Sequence, residues 1–509
     1  MQPVPVHAAS GAPAELCGGL RRGLKRGQLP GMFGGSFGEL FGRRRPVEAL
    51  FGRGRCGLFG ACGLFGGCGL FGPCGLESKR MAVKTSTNKL TGRKLWIPRM
   101  TYIGARFMAA AFRAVGIDAS PTPPSDAETL ELGGLYTSGE ECYPEKVTMG
   151  DFLRIVKAPD FDRDAHAFFM PTAEGPCRFG QYAPYLRHVL DEMGYEDVPV
   201  ISPTSKNSYD GVGEHGSDIM RQMWRGLVCS DILRKILLRT RPYETEPGAA
   251  DAAFERSMEI VEAILASESL SSKDRMAGLI DAMVRCRDIF RAVPARYVKG
   301  KPLIGVVGEI FCRLNTFSNY DAVRKIEAHG GEAWISDVSE WVWYTNWSQK
   351  SLLKRDGKTF TLSMAGAMLK NAVQRREEHK LLAPFHDDFL GYEEPHDIYA
   401  DVLEPAWPYL PADGALGEMV LSVGKSMYLH GRGADGIIDI SPFSCMNGIV
   451  SEAVYHTVSA DHDGIPIRNF YFDASSSNME RDLDIFTELA SGYQKRKKKP
   501  RRYPPCFGS

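Results

Sequence analysis

No stretch of the 509 residues approaches the roughly 20 consecutive apolar residues of a membrane-spanning helix, so no membrane role is expected. The N-terminus carries basic residues but no continuous apolar run ending at a small-residue cleavage site. That argues against a secretory leader and for a cytoplasmic protein. An excess of one charge is also missing. Lys plus Arg and Asp plus Glu both number 62, and this balance argues against nucleic acid as a general partner. No Cys-x-x-Cys pair occurs in residues 81–509, which weakens a thiol–disulfide exchange reading. A nucleotide signature is missing too. Gly431-Arg-Gly433-Ala-Asp-Gly436 has the letters of the dinucleotide fingerprint, but a helical pattern precedes it and a strand pattern follows, the reverse of the required order. Val423-Gly424-Lys425-Ser426 resembles the end of a phosphate loop, but Met419 stands where the first glycine belongs.

What is present is an ordinary globular composition, 43% apolar and 24% charged, in a chain long enough for two or three domains. Residues 1–80 stand apart. They are rich in Gly, Arg and Phe and repeat Cys-Gly-Leu-Phe-Gly from Cys56, Cys62 and Cys68, with a last partial copy at Cys74. Metal loops usually set two ligands two to four residues apart, so this spacing reads as low-complexity, disordered sequence. Met81-Ala-Val-Lys reads like a second start, which would make the segment an appendage.

From residue 90 the pattern turns globular. Residues 90–211 alternate strand, loop and helix and carry Cys142 and Cys177. Residues 212–300 hold long 3.6-residue periods, such as Phe254 to Ala266, and read as a helical subdomain. Residues 301–492 resume the alternation with the buried strand Pro302 to Gly308 and carry Cys445. The expected class is α/β, with two Rossmann-like parallel-sheet halves, an inserted helical subdomain and a disordered N-terminal segment. Residues 493–509, with Lys495-Arg-Lys-Lys-Lys-Pro-Arg-Arg502, read as a solvated basic tail. His386 and His396 flank Asp387, Asp388, Glu393 and Glu394 in what reads as a surface loop, with a hard-cation site as the alternative. Trp341, Trp343 and Trp347 read as packing residues, with an acyl-binding wall as the alternative.

Three thiols share one kind of place. Cys177 lies in Gly175-Pro-Cys-Arg-Phe-Gly-Gln-Tyr182, between the apolar run Ala165 to Pro171 and the helical run Tyr185 to Met193. Cys142 precedes the helical run Val147 to Val156. Cys445 lies between the strand-like Gly436 to Ser441 and the helical Ile449 to Val458. A helix N-terminus offers free N–H groups and a positive dipole end, so each thiol is expected to lean toward thiolate. Zinc, redox thiols and an iron–sulfur cluster all suit such a set. Glycines at 175, 180 and 448 let amides approach an anionic cluster, which favours it over zinc. Cys229 and Cys286 sit in helical patterns and read as packing residues. Cys312, in Glu309-Ile-Phe-Cys-Arg-Leu-Asn315, joins a strand to a helix and is a candidate fourth ligand.

Four motifs, in order, carry a resemblance. They are Glu141-Cys-Tyr-Pro-x-Lys146, Gly175-Pro-Cys-Arg-Phe-Gly-x-Tyr182, Gly308-Glu-Ile-x-x-Arg-Leu-Asn315 and Pro442-Phe-x-Cys-Met-x-Gly448. Over about residues 94–490 the chain resembles the 2-hydroxyacyl-CoA dehydratase-like proteins, and most nearly the C-terminal half of the large CoA-substrate-specific enzyme activases. The resemblance implies a [4Fe–4S] cluster on Cys142, Cys177 and Cys445 between α/β domains. It further implies reduction of an acyl-CoA thioester to a ketyl radical with an electron from a separate actin-like ATPase activator, within a homodimer or heterodimer. An accessory electron carrier with the same cluster is the alternative, and a zinc-stabilised interaction module a further one. The chain departs from the large activases in lacking their actin-like ATPase region, and from the family ligand set in carrying Cys312.

Overall fold

The computed structural model describes residues 90–508, apart from residues 174, 204–215, 416 and 475–478. The Cys56–Cys74 repeat, the expected disorder of residues 1–80 and the start-like Met81 therefore lie outside the described residues.

In the first half, β1 (Lys94–Ile97) buries Leu95 and Ile97 on the inner positions of its two-residue alternation. It is followed by α1 (Tyr102–Arg113), β2 (Ala119–Pro121), α2 (Ala127–Leu135), α3 (Tyr143–Val156), β3 (His166–Phe169), α4 (Tyr182–Glu192) and β4 (Val200–Ile201). Thr101 starts α1 by accepting the Gly104 amide, and Asp126 and Thr129 form a reciprocal capping box on α2. The four strands are all parallel, in the order β2-β1-β3-β4.

Three helices follow: α5 (Gly216–Thr240), α6 (Ala249–Ala266) and α7 (Ser272–Arg291). The second half begins with β5 (Leu303–Gly308), buried at every residue, as a central parallel strand should be. It continues through α8 (Ile310–Leu314), α9 (Ala322–Ala328), β6 (Glu332–Ile335), α10 (Ser339–Arg355), α11 (Leu362–Leu382) and a short α12 (Glu404–Ala406). The last elements are α13 (Glu418–Gly431), β7 (Gly436–Pro442), α14 (Met446–Asp461), β8 (Ile467–Phe472) and α15 (Met479–Gln494). These strands are also parallel, in the order β6-β5-β7-β8.

The two sheets thus repeat one strand order. Each has its reversal between its first and third strands, β1 and β3 or β5 and β7, where a crevice opens beyond the carboxyl ends. Two elements join the halves. Helix α5 packs on α1 of the first and β6 of the second. Helix α3 belongs to the first half in sequence, yet its Tyr143 and Val147 enter the apolar cluster of Ile304, Val306, Ile438 and Ile440 under the second sheet.

Several expectations need correction. The basic tail is not free in solvent: Lys497 pairs with buried Asp435 at 2.6 Å, and Arg501 with buried Glu332 at 2.6 Å. Apolar Phe507, edge-on to Tyr243, helps hold it down. Glu394 does not belong to a surface loop, because it is the counter-ion of the buried ammonium groups of Lys235 and Lys425. His386 and His396 are exposed, as a loop reading requires. Trp343 packs edge-on against Trp224, and Trp347 stacks on Tyr399, which places both in packing roles. The helical region is also larger than residues 212–300, since α11 packs on α5 and α7. Among the described residues no helix is long and apolar enough to cross a membrane.

Candidate metal centre

Each of the three cysteines occupies the N-cap position of a helix or 3₁₀ turn, without a side-chain capping bond. Cys142 caps α3 with φ −71° and ψ 154°, and Pro144 follows in the first turn, where a missing N–H costs nothing. Cys177 caps the 3₁₀ turn Arg178–Gln181 that leads into α4, with φ −69° and ψ 136°. Cys445 caps α14 with φ −67° and ψ 121°. Cys177 and Cys445 occupy equivalent places, each after the third strand of its sheet. Cys142 starts α3, whose Tyr143 and Val147 pack under the second sheet.

One side chain ties the three loops together. The Arg178 guanidinium donates to the Glu140 carbonyl at 2.8 Å and to the Ser444 carbonyl at 3.2 Å, so the residue after Cys177 grips the segments before Cys142 and Cys445. Tyr182 places its hydroxyl 2.7 Å from the Cys142 sulfur. Ser444 adopts φ 60°, a left-handed backbone that a non-glycine residue holds only when its surroundings enforce it. Gly448 lies close under the Cys445 loop, where a Cβ would come within 2.6 Å of the Ser441 hydroxyl. The glycine is needed for that approach.

Cys312 lies in the same region. It is fully buried in α8, and burial together with the negative charges of Glu309, Cys142 and Cys445 holds its thiol above the usual range. Glu309 is the common neighbour, acting on all four thiols. Its carboxylate caps α8, accepting the amides of Phe311 at 2.9 Å and Cys312 at 2.8 Å. Glu418 accepts the Ile310 amide at 3.0 Å. Burial, with Glu309 nearby, pushes Glu418 up to about 8.

The thiolate expectation is overturned. Burial pushes Cys142 and Cys445 up to about 12 and Cys177 up to about 11, and raises Cys312 as well. The amides of Glu145, Phe179, Asn447 and Gly448 and the Tyr182 hydroxyl pull the other way. Desolvation of the charged form and the nearby carboxylate of Glu309 outweigh them. Among the described residues, no three His, Cys, Asp or Glu side chains converge tightly enough to hold one metal ion.

The remaining motifs keep to packing roles. Cys229 and Cys286 are completely buried in the largest apolar cluster. Val423 to Ser426 lies inside α13, with Lys425 paired to Glu340 and Glu394, so it cradles no phosphate. Gly431 to Gly436 runs from the end of α13 into β7, as its letters in reverse context required. Arg178, Tyr182 and Glu309 stand inside the four motifs with no role evident from the sequence, and Glu418 stands in none of them. An acid directly after a fully apolar strand was a usable signal for Glu309, whereas Glu418 had none. No family model and no curated protein matches the chain.

Proposed function

We propose that the chain is an iron–sulfur protein of the 2-hydroxyacyl-CoA dehydratase-like type, with Cys142, Cys177 and Cys445 holding a [4Fe–4S] cluster. Such a cluster, when bound, supplies low-potential single electrons, tuned by burial and by hydrogen bonds to its sulfurs. The observation that supports the reading best is the set of three cap thiols whose loops Arg178 joins. Helix N-termini at each thiol oppose the negative charge of a thiolate-ligated group. Arg178 fixes loop spacing, and Tyr182 offers its hydroxyl to one ligand sulfur. The acyl-CoA thioester as substrate and the actin-like ATPase activator as electron donor rest on the motif resemblance alone.

The placement of Cys312 favours a second reading. It stands in the same kind of strand-to-helix region, its thiol is raised by burial and by the charges of Glu309, Cys142 and Cys445, and a fourth thiolate would close the centre and make the protein an accessory electron carrier. A zinc-stabilised module would use the same three thiols, and metal analysis separates it from the cluster.

Anaerobic loading followed by iron, sulfide and zinc analysis tests the cluster. Ser in place of Cys142, Cys177 or Cys445 should remove most iron and bleach the broad absorbance near about 400 nm. Retention of iron by all three variants would sink the proposal. Cys312→Ser should keep the cluster if three thiols suffice. Loss of iron as complete as in Cys177→Ser would instead establish the closed, electron-transfer centre.

A further inference from the structure

Beside the loops of Cys142 and Cys177 lies an open cavity of about 370 Å³. That is within the range of roughly 300–1,000 Å³ typical of small-ligand sites. Its wall includes Glu140, Glu141, Glu145, Arg178, Tyr185 and His188.

The charges facing it do not cancel. Arg178 spends its guanidinium on the carbonyls of Glu140 and Ser444. His188 pairs with Glu192 at 3.3 Å on the outer surface of α4. The Glu141 carboxylate is engaged by the Ser138 hydroxyl at 3.0 Å and the Gly139 amide at 3.0 Å. Glu145 is different. Its residue is only 4% exposed, yet its carboxylate has no hydrogen-bond or ion-pair partner among the described residues and lines the cavity. The little of Glu145 that water reaches opens on the cavity, so a cation entering there meets a carboxylate with no other partner to give up.

The occupant's chemistry follows from the same walls. Three carboxylates against one guanidinium repel phosphates, so the CoA moiety of a thioester does not belong here. A bare divalent ion does not suit either, because no three carboxylates converge on a point. Tyr185 gives its hydroxyl to the Tyr136 carbonyl at 2.7 Å, which leaves its ring as an aromatic wall, and Pro184 adds apolar surface. Aromatic rings beside carboxylates recognise ammonium groups. We propose that the cavity beside Cys142 and Cys177 binds an organic ammonium group, with Glu145 as its counter-ion and Tyr185 as its aromatic wall. Nothing in this depends on what the thiols hold.

The test is calorimetric titration of the full chain with 1,5-diaminopentane, choline and 1,5-pentanediol. The two ammonium probes should bind and the diol should not. Glu145→Gln, which keeps the shape of the side chain, should weaken the ammonium probes at least tenfold, while Glu192→Gln should leave them unchanged. Should Glu145→Gln fail to fold, Tyr185→Leu supplies the same readout, with choline weakened more than the diamine. A lysine blocked at both ends and binding as tightly as the diamine keeps the ammonium chemistry and places its source on a partner protein. Equal binding of diol and diamine, stoichiometric displacement by magnesium, or an unchanged Glu145→Gln would overturn the proposal. Chelator-treated and iron-loaded chain should bind the probes alike, which separates failure of this site from failure of the cluster.

Discussion

Cys142 and Cys445 carry protons that a metal would have to displace. With both pushed up to about 12 and Cys177 to about 11, the thiols are neutral at physiological pH. Ligation deprotonates them, so loading through three thiols at neutral pH should release about three protons. Iron retention against a chelator should therefore improve steeply between pH 7 and pH 9, and a pH-independent retention would show that these thiols are not the ligands. Stability runs the other way on the alkaline side. A thiol whose folded value is raised keeps its full contribution below the unfolded value of about 8.5. That contribution is lost as pH climbs toward the folded value. Chelator-treated protein should accordingly lose melting temperature above pH 9 while loaded protein holds it. The address of each thiol was legible because glycine, proline and a strand-to-helix change of period mark a helix start in any sequence. The protonation state was not, because it depends on how deeply Glu309 and the thiols are buried together.

Helix α3 brings Cys142 to the second sheet, and two glycines set its distance from α2. A Cβ on Gly133 would lie 2.1 Å from the Lys146 carbonyl oxygen, and one on Gly150 would lie 1.9 Å from that of Thr129. Backbone cannot give way as a side-chain tip can, so Ala at either position must push the helices apart. Gly133→Ala and Gly150→Ala should lower the melting temperature and iron content together. Gly134→Ala meets open space and should instead stabilise by roughly 0.5–1 kcal/mol, as Ala does in a helix. If all three variants behave alike, the close approach does not position Cys142. At this scale the sequence showed most of the pattern. The helical period expected at Phe254 to Ala266 lies in α6 (Ala249–Ala266), and the strand expected at Pro302 to Gly308 is β5 (Leu303–Gly308). What periodicity missed was pairing across the chain. Glu394 looked like part of a charged loop because its partners, Lys235 and Lys425, are more than 30 residues away on α5 and α13.

The whole molecule is fastened at its C-terminal end, where sequence alone promised a solvated tail. A run of basic residues looks solvated until acids buried elsewhere are known to await it, and Asp435 and Glu332 are such acids. The opposite end should be dispensable for folding, since a Gly-rich repeat has too little bulk to build a core. A chain beginning at Met81 should keep its melting temperature and iron content, and loss of either would contradict that reading. The tail is the reverse case. Arg501 meets Glu332 at 2.6 Å, and Tyr243 donates to the same carboxylate at 2.5 Å, in a spot where Glu332 is wholly inaccessible to solvent. Arg501→Ala leaves that carboxylate with hydroxyl partners but no counter-charge, which should cost about 3–5 kcal/mol. The double variant Arg501→Met with Glu332→Gln removes both charges while keeping much of the volume, so it should recover part of the loss. A denaturant series on the parent, Arg501→Met, Glu332→Gln and the double variant measures the coupling directly. A coupling near zero, with Arg501→Ala as stable as the parent, would mean that the docked tail contributes little and that the core holds without it.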